Sequence, residues 1–161
     1  MELKKGDKAP AFVLYDTEKK KRSLEEFRGK NVVLLFFPFA FSSVCTKELC
    51  SVRDNIAFYN NMNAIVLGIS VDSLYTLARF REDQHLTFPL LSDFNKEVSA
   101  AYGALQAQFS YDMKGVSKRS AFVIDGEGML RYLQVLENPQ EVPDFEAIQT
   151  VLTALQEGVK V

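Results

Sequence analysis

The chain has 161 residues, of which 47% are hydrophobic and 25% charged, the proportions of one globular domain of ordinary size. Nineteen Lys and Arg against 21 Asp and Glu leave a formal charge of -2, which argues against a nucleic-acid partner or an anionic membrane surface. The longest apolar run, Val32 to Phe41, is broken by Pro38 and falls short of the about 20 residues a bilayer span needs. The opening Met1-Glu2-Leu3-Lys4-Lys5-Gly6 offers no apolar signal segment, so the expected compartment is the cytoplasm.

In chain order, Phe12-Val13-Leu14-Tyr15 reads as an outer strand. The basic run Lys19-Lys20-Lys21-Arg22 reads as a solvated turn, and Ser23 with Glu26 fits a capping box. Asn31 to Phe37 and Ala64 to Val71 are continuous apolar runs without period-two alternation, as expected of central strands covered on both faces. Between them, Leu49, Val52, Ile56 and Tyr59 stand at helical spacing, which predicts a helix from about Ser43 to Tyr59. Strand, helix and strand with short joins make a βαβ unit with parallel strands.

Asp72 is the expected N-cap of a helix from Leu74 to Gln84, followed by an extended piece at Phe88-Pro89-Leu90-Leu91. A short helix through Val98, Ala101 and Tyr102 should stop at Gly103. Gln106 to Lys118 carries no clear period. Ser120 to Asp125 and Met129 to Val135, joined by Gly126-Glu127-Gly128, read as a β-hairpin. Pro143 opens a last helix with a stripe of Phe145, Ile148, Val151, Leu152 and Leu155, ending at Gly158. The expectation is one α/β domain over residues 1–161, a central mixed sheet with helices on both faces.

Several familiar chemistries lack their residues. Gly126-Glu127-Gly128 leads into a strand rather than a helix, unlike a phosphate loop. Two cysteines and one histidine, His85, are too few for a four-ligand zinc site. They are also too few for a disulfide framework. Two unpaired cysteines are usually small buried hydrophobes. Their surroundings favour chemistry. Cys45 falls in the first turn of the expected helix, directly after a central strand, where open α/β sheets place their ligands. Free backbone N–H groups and the helix dipole favour an anion there, and a thiolate is one. Ser42 or Ser43 would cap this helix, and Pro38 would end the strand.

On an ideal helix Cys45 shares the face of Leu49, Val52 and Ile56, which points its sulfur inward. Cys50 lies about 140° around the helix, toward solvent. The two Cα atoms would stand about 8.7 Å apart, from a radius of about 2.3 Å and a rise of about 1.5 Å. A disulfide needs less than about 7 Å. The pair therefore cannot bond until the first turns unwind.

The segment from Pro38 to Cys45 resembles the peroxiredoxin site Pro-x-x-x-Thr/Ser-x-x-Cys, with Pro38, Ser42 and Cys45 in place. Glu48 stands where the family often has glutamate, and Arg119, ahead of a late strand, fits the family's arginine. Phe36 to Phe41 and Val98 to Gly103 look like the alkyl hydroperoxide reductase E branch. Cys50 instead matches the resolving position of the bacterioferritin-comigratory-protein branch.

The resemblance implies a thioredoxin-like fold and a thiol peroxidase acting on hydrogen peroxide and organic hydroperoxides, with no metal, flavin or haem. Cys45 thiolate would attack the peroxide, and Arg119 would supply positive charge. Ser42 and the Cys45 N–H would hold the oxygens, Glu48 would orient Arg119, and Pro38 would exclude water. Cys50 would resolve the oxidised Cys45, and a thioredoxin- or glutaredoxin-like protein would reset the pair, in a chain that family analogy allows to form a homodimer. Two alternatives stay open, a one-cysteine enzyme served by an external thiol and a non-catalytic thiol sensor or holdase.

Overall fold

The computed structural model describes residues 2–158, except the side chain of Cys45. The inward direction expected for the Cys45 sulfur lies outside the described residues.

The strands are β1 (Val13–Asp16), β2 (Lys21–Ser23), β3 (Asn31–Phe36), β4 (Ala64–Ser70), β5 (Leu90–Ser92), β6 (Leu105–Gln108), β7 (Lys114–Ser117), β8 (Ser120–Ile124) and β9 (Leu130–Val135). The helices are α1 (Ser43–Asp54), α2 (Ile56–Asn61), α3 (Leu74–Asp83), α4 (Glu97–Ala101) and α5 (Phe145–Gln156). Seven strands form one mixed sheet in the order β2-β1-β5-β4-β3-β8-β9, and β6 pairs with β7 apart from it. β3, β4 and β5 run parallel, while β8 lies antiparallel against β3.

β3 is the centre of the fold, and every residue in it is buried. Because side chains alternate across a strand, Val33 and Leu35, with Phe37 just past its end, face one core and Val32, Leu34 and Phe36 the other. The first core is closed by Leu49 and Val52 of α1, Tyr59 of α2, Leu77 and Phe80 of α3, and Ile148 and Leu152 of α5. The second is closed by Val98 and Tyr102 of the α4 region and by Leu24 and Phe27 of a 3-10 turn. This is the two-faced α/β domain expected from the apolar runs.

Local expectations meet the tertiary structure with several corrections. The single helix expected from Ser43 to Tyr59 is broken at Asn55, whose backbone (φ -118°, ψ 21°) leaves the helical region. Leu49, Val52 and Tyr59 nevertheless reach the same core. β1 is not the outer strand, because Lys21 and Arg22 of the expected turn form the edge strand β2 beside it. Lysine on an edge deters pairing with another chain. The capping box is present, with Ser23 and Glu26 exchanging both hydrogen bonds. The N-caps of α3 and α5 are Ser73 and Asp144, one residue after Asp72 and Pro143. Gln106 to Lys118, without a visible period, holds the hairpin β6–β7.

Candidate active site

The register of the sheet assembles the site. Phe36, the last residue of β3, pairs with Ser120, the first of β8. Arg119 is therefore carried to the carboxyl end of β3, where the chain turns through buried Pro38 into α1. The turn is strained: Phe41 has φ +71°, an uncommon conformation for a bulky residue. Such strain costs of order 1–3 kcal/mol and gathers at functional sites. Two contacts hold it. The Phe41 ring meets Phe80 edge-on at 5.2 Å, and the Ala40 N–H donates to Asp72 Oδ2 at 2.8 Å.

Asp72 was expected as a helix cap, and the structure corrects this. Its carboxylate accepts from Ala40 and from the Ser70 hydroxyl (2.7 Å), so it ties the end of β4 to the Pro38 turn. Burial pushes its carboxyl pKa up against those two hydrogen bonds. Ser42 does occupy the N-cap of α1, but its hydroxyl makes no cap bond and donates to Phe39 O at 3.1 Å. Cys45 is the third residue of α1, in the turn whose N–H groups lack helical acceptors.

Glu48 and Arg119 form a buried ion pair. Arg119 Nη1 donates to Glu48 Oε2 at 2.6 Å, and the two residues are 1% and 2% exposed. Arg119 Nε donates to Pro139 O at 3.1 Å, and Leu136 N–H donates to Arg119 O, so the segment after β9 also positions it. Burial raises the Glu48 carboxyl pKa from its ordinary 4.5 to about 7, with Arg119 pulling it back by charge and hydrogen bond. Among the described residues, Glu48 Oε1 is buried without a hydrogen-bond partner.

Pro38, Ser42, Arg119, Phe109, Pro139 and Gln140 line one pocket of about 90 Å³. The structure thus gathers Pro38, Ser42 and Arg119 on one cavity and sets Glu48 behind Arg119. Phe109, on the unforeseen β6–β7 hairpin, reaches the site with its ring 5.9 Å from that of Phe39. The alternation Leu105-Gln106-Ala107-Gln108-Phe109 was the signal that could have revealed that strand.

Cys50 stands apart from this pocket. An isolated helix would turn it toward solvent, but the carboxyl end of α3 covers that flank. Cys50 is half-buried against the core, its thiol 3.5 Å from Gln84 Oε1, and neighbouring Arg53 donates to Gln84 O at 2.6 Å. Chemically, the site offers a cation fixed by a buried carboxylate, facing the first turn of a helix that carries a cysteine. Such a setting favours a thiolate and the charge that develops when a bound oxygen compound is attacked.

Comparison with known proteins agrees. The AhpC/TSA family profile matches residues 5–133. Alkyl hydroperoxide reductase E of Mycobacterium tuberculosis is 37% identical over 156 residues, covering 95% of this chain and 98% of the relative. The crystal structure of peroxidoxin BcpB from the same organism superposes with a TM-score of 0.85 at 30% identity, covering 96% of this chain and 99% of that one. A peroxiredoxin-like protein from Aquifex aeolicus gives a TM-score of 0.87 at 25% identity, over 96% of this chain and 89% of the other.

Proposed function

The chain belongs to the AhpC/TSA family of peroxiredoxins and is a thiol peroxidase, using a hydroperoxide and a thiol reductant; from that premise we propose that Cys45 is its peroxide-reducing cysteine and Cys50 its resolving cysteine. The Cys45 thiolate attacks the distal oxygen, the O–O bond breaks, and the leaving oxygen takes a proton to become water or an alcohol. Cys45 is left as a sulfenic acid. The observation that carries this reading is the buried Glu48–Arg119 pair, which fixes a cation in a pocket shared with Pro38 and Ser42.

In the second step Cys50 thiolate attacks the Cys45 sulfenic sulfur, the S–O bond breaks, and the departing hydroxide takes a proton to become water, leaving an intramolecular disulfide. α1 runs unbroken from Ser43 to Asp54, and helix geometry sets the two Cα atoms beyond disulfide reach. The first turns therefore unwind, and the Cys50–Gln84 contact separates. A thioredoxin- or glutaredoxin-like protein then reduces the disulfide by thiol exchange. A homodimer belongs to the same proposal: Tyr75 and Phe94, 69% and 62% exposed, are aromatic surface that a second copy would cover.

The test is peroxide consumption driven by thioredoxin, glutaredoxin or a small thiol, with Cys45→Ser as the decisive variant. Serine offers no thiolate-like nucleophile at neutral pH, so turnover should vanish. A Cys45→Ser protein that keeps most of its rate would overturn the assignment, whereas a parent protein with no turnover under any of these reductants would favour a role in binding alone.

A further inference from the structure

A second pocket adjoins the one that holds Arg119. It lies between α1 and the loop leading into α5, has a volume of about 430 Å³, and is walled by Val44, Lys47, Ser51, Val142 and Phe145. Ser43, Val44 and Gln140 line both pockets. The buried ion pair stands between them, with Arg119 on the smaller pocket and Glu48 on the larger.

Size decides what each can hold. A pocket of about 90 Å³ has room for a few waters at roughly 30 Å³ each, and so for hydrogen peroxide, but a cavity that takes benzene measures about 150 Å³. The ring of an aryl hydroperoxide, or a branched alkyl group, must therefore lie outside the smaller pocket. The larger neighbour has that room, and Val44, Val142 and Phe145 give it the apolar wall such a group prefers. A further groove of about 870 Å³, beside Tyr15, Tyr75 and Phe94, shares no lining residue with either pocket.

We propose that the pocket between α1 and the α5 loop receives the organic group of aryl and branched alkyl hydroperoxides, and that Val142 and Phe145 set the preference for these over hydrogen peroxide. This rests on Cys45 as the attacking thiol. The thiolate takes the distal oxygen, the O–O bond breaks, and RO⁻ departs and gains a proton to become the alcohol. The organic group rides on the leaving oxygen, so its pocket belongs on the leaving side of the peroxide.

The test is the rate constant of Cys45 oxidation, measured by stopped flow with cumene hydroperoxide, tert-butyl hydroperoxide and H2O2. Val142 is 44% exposed, so Val142→Trp can fill the pocket without opening the core, and Val142→Asp makes its wall polar. In both variants the ratio of the cumene hydroperoxide rate to the H2O2 rate should fall about tenfold or more, the scale of a lost apolar contact. An unchanged ratio, or an equal loss with both peroxides, would overturn the proposal. A parent protein whose Cys45 does not react with H2O2 would overturn the underlying reading and this proposal with it.

Discussion

Replacing Arg119 by Met removes the cation from the buried pair and keeps most of the side-chain volume. The effect on stability should depend on pH, and the sign follows from Glu48. Its carboxyl is raised from 4.5 to about 7 in the fold, first by burial, with Arg119 opposing. The folded parent therefore holds a proton that the unfolded chain has released, and stability falls by about 1.4 kcal/mol per pH unit between about 4.5 and 7. Above 7 both states are ionised and the fall stops. In Arg119→Met the opposing charge is gone, so the carboxyl stays protonated further up the scale and the fall continues.

The stability gap between parent and variant should thus be constant below about pH 6 and open above pH 7 by up to about 1.4 kcal/mol per unit, which sets a ceiling of roughly 2 kcal/mol extra at pH 8.5. Both proteins would carry Cys45→Ser, so that no thiol titration enters the difference. The chain has no tryptophan, which makes far-ultraviolet circular dichroism in urea the suitable assay. A gap equal at pH 5.5 and 8.5, or wider at acid pH, would refute this account of the pair.

Two further substitutions test the frame around the site. Asp72→Ala leaves the Ala40 N–H without its acceptor, which should cost about 1–3 kcal/mol. It should also slow Cys45 oxidation by freeing the Pro38 turn, and stopped-flow rates equal to the parent's would deny Asp72 a positioning role. Gly68→Ala would place a Cβ 2.6 Å from Leu90 Cδ2 and 3.4 Å from the Phe37 ring in the middle of the sheet. Overpacking there should cost about 1–3 kcal/mol, and an unchanged urea midpoint would contradict the packing of β3, β4 and β5.

What was legible in the sequence is what depends on local pattern. β3 and β4 announced themselves because strands buried on both faces need unbroken apolar runs. The turn from Pro38 into the helix that carries Cys45 was legible because proline stops a strand and serine starts a helix, and Ser42 does stand at the N-cap. The break at Asn55 was hidden because Leu49, Val52 and Tyr59 keep helical phase across it. The role of Asp72 was hidden for another reason: capping is a local rule, whereas its carboxylate answers a donor 32 residues away. The β6–β7 hairpin has four-residue strands with exposed flanks, so little apolar signal marked the segment that delivers Phe109. Cys50 was assigned to solvent because an isolated helix carries no information about the α3 end that packs on it.

The most direct measurement is mass mapping of the reduced protein after one equivalent of H2O2, with hydrogen exchange on the same sample. The parent should carry an intramolecular Cys45–Cys50 disulfide, with faster exchange from about Ser43 to Arg53, as expected of a helix end drawn from the low-stability part of a fold. Cys50→Ser should stop with one oxygen added at Cys45. Peroxide that leaves Cys45 unmodified would contradict the assignment of the reacting thiol. Oxidation of Cys45 with Cys50 still free in the parent would make this a one-cysteine enzyme served by an external thiol.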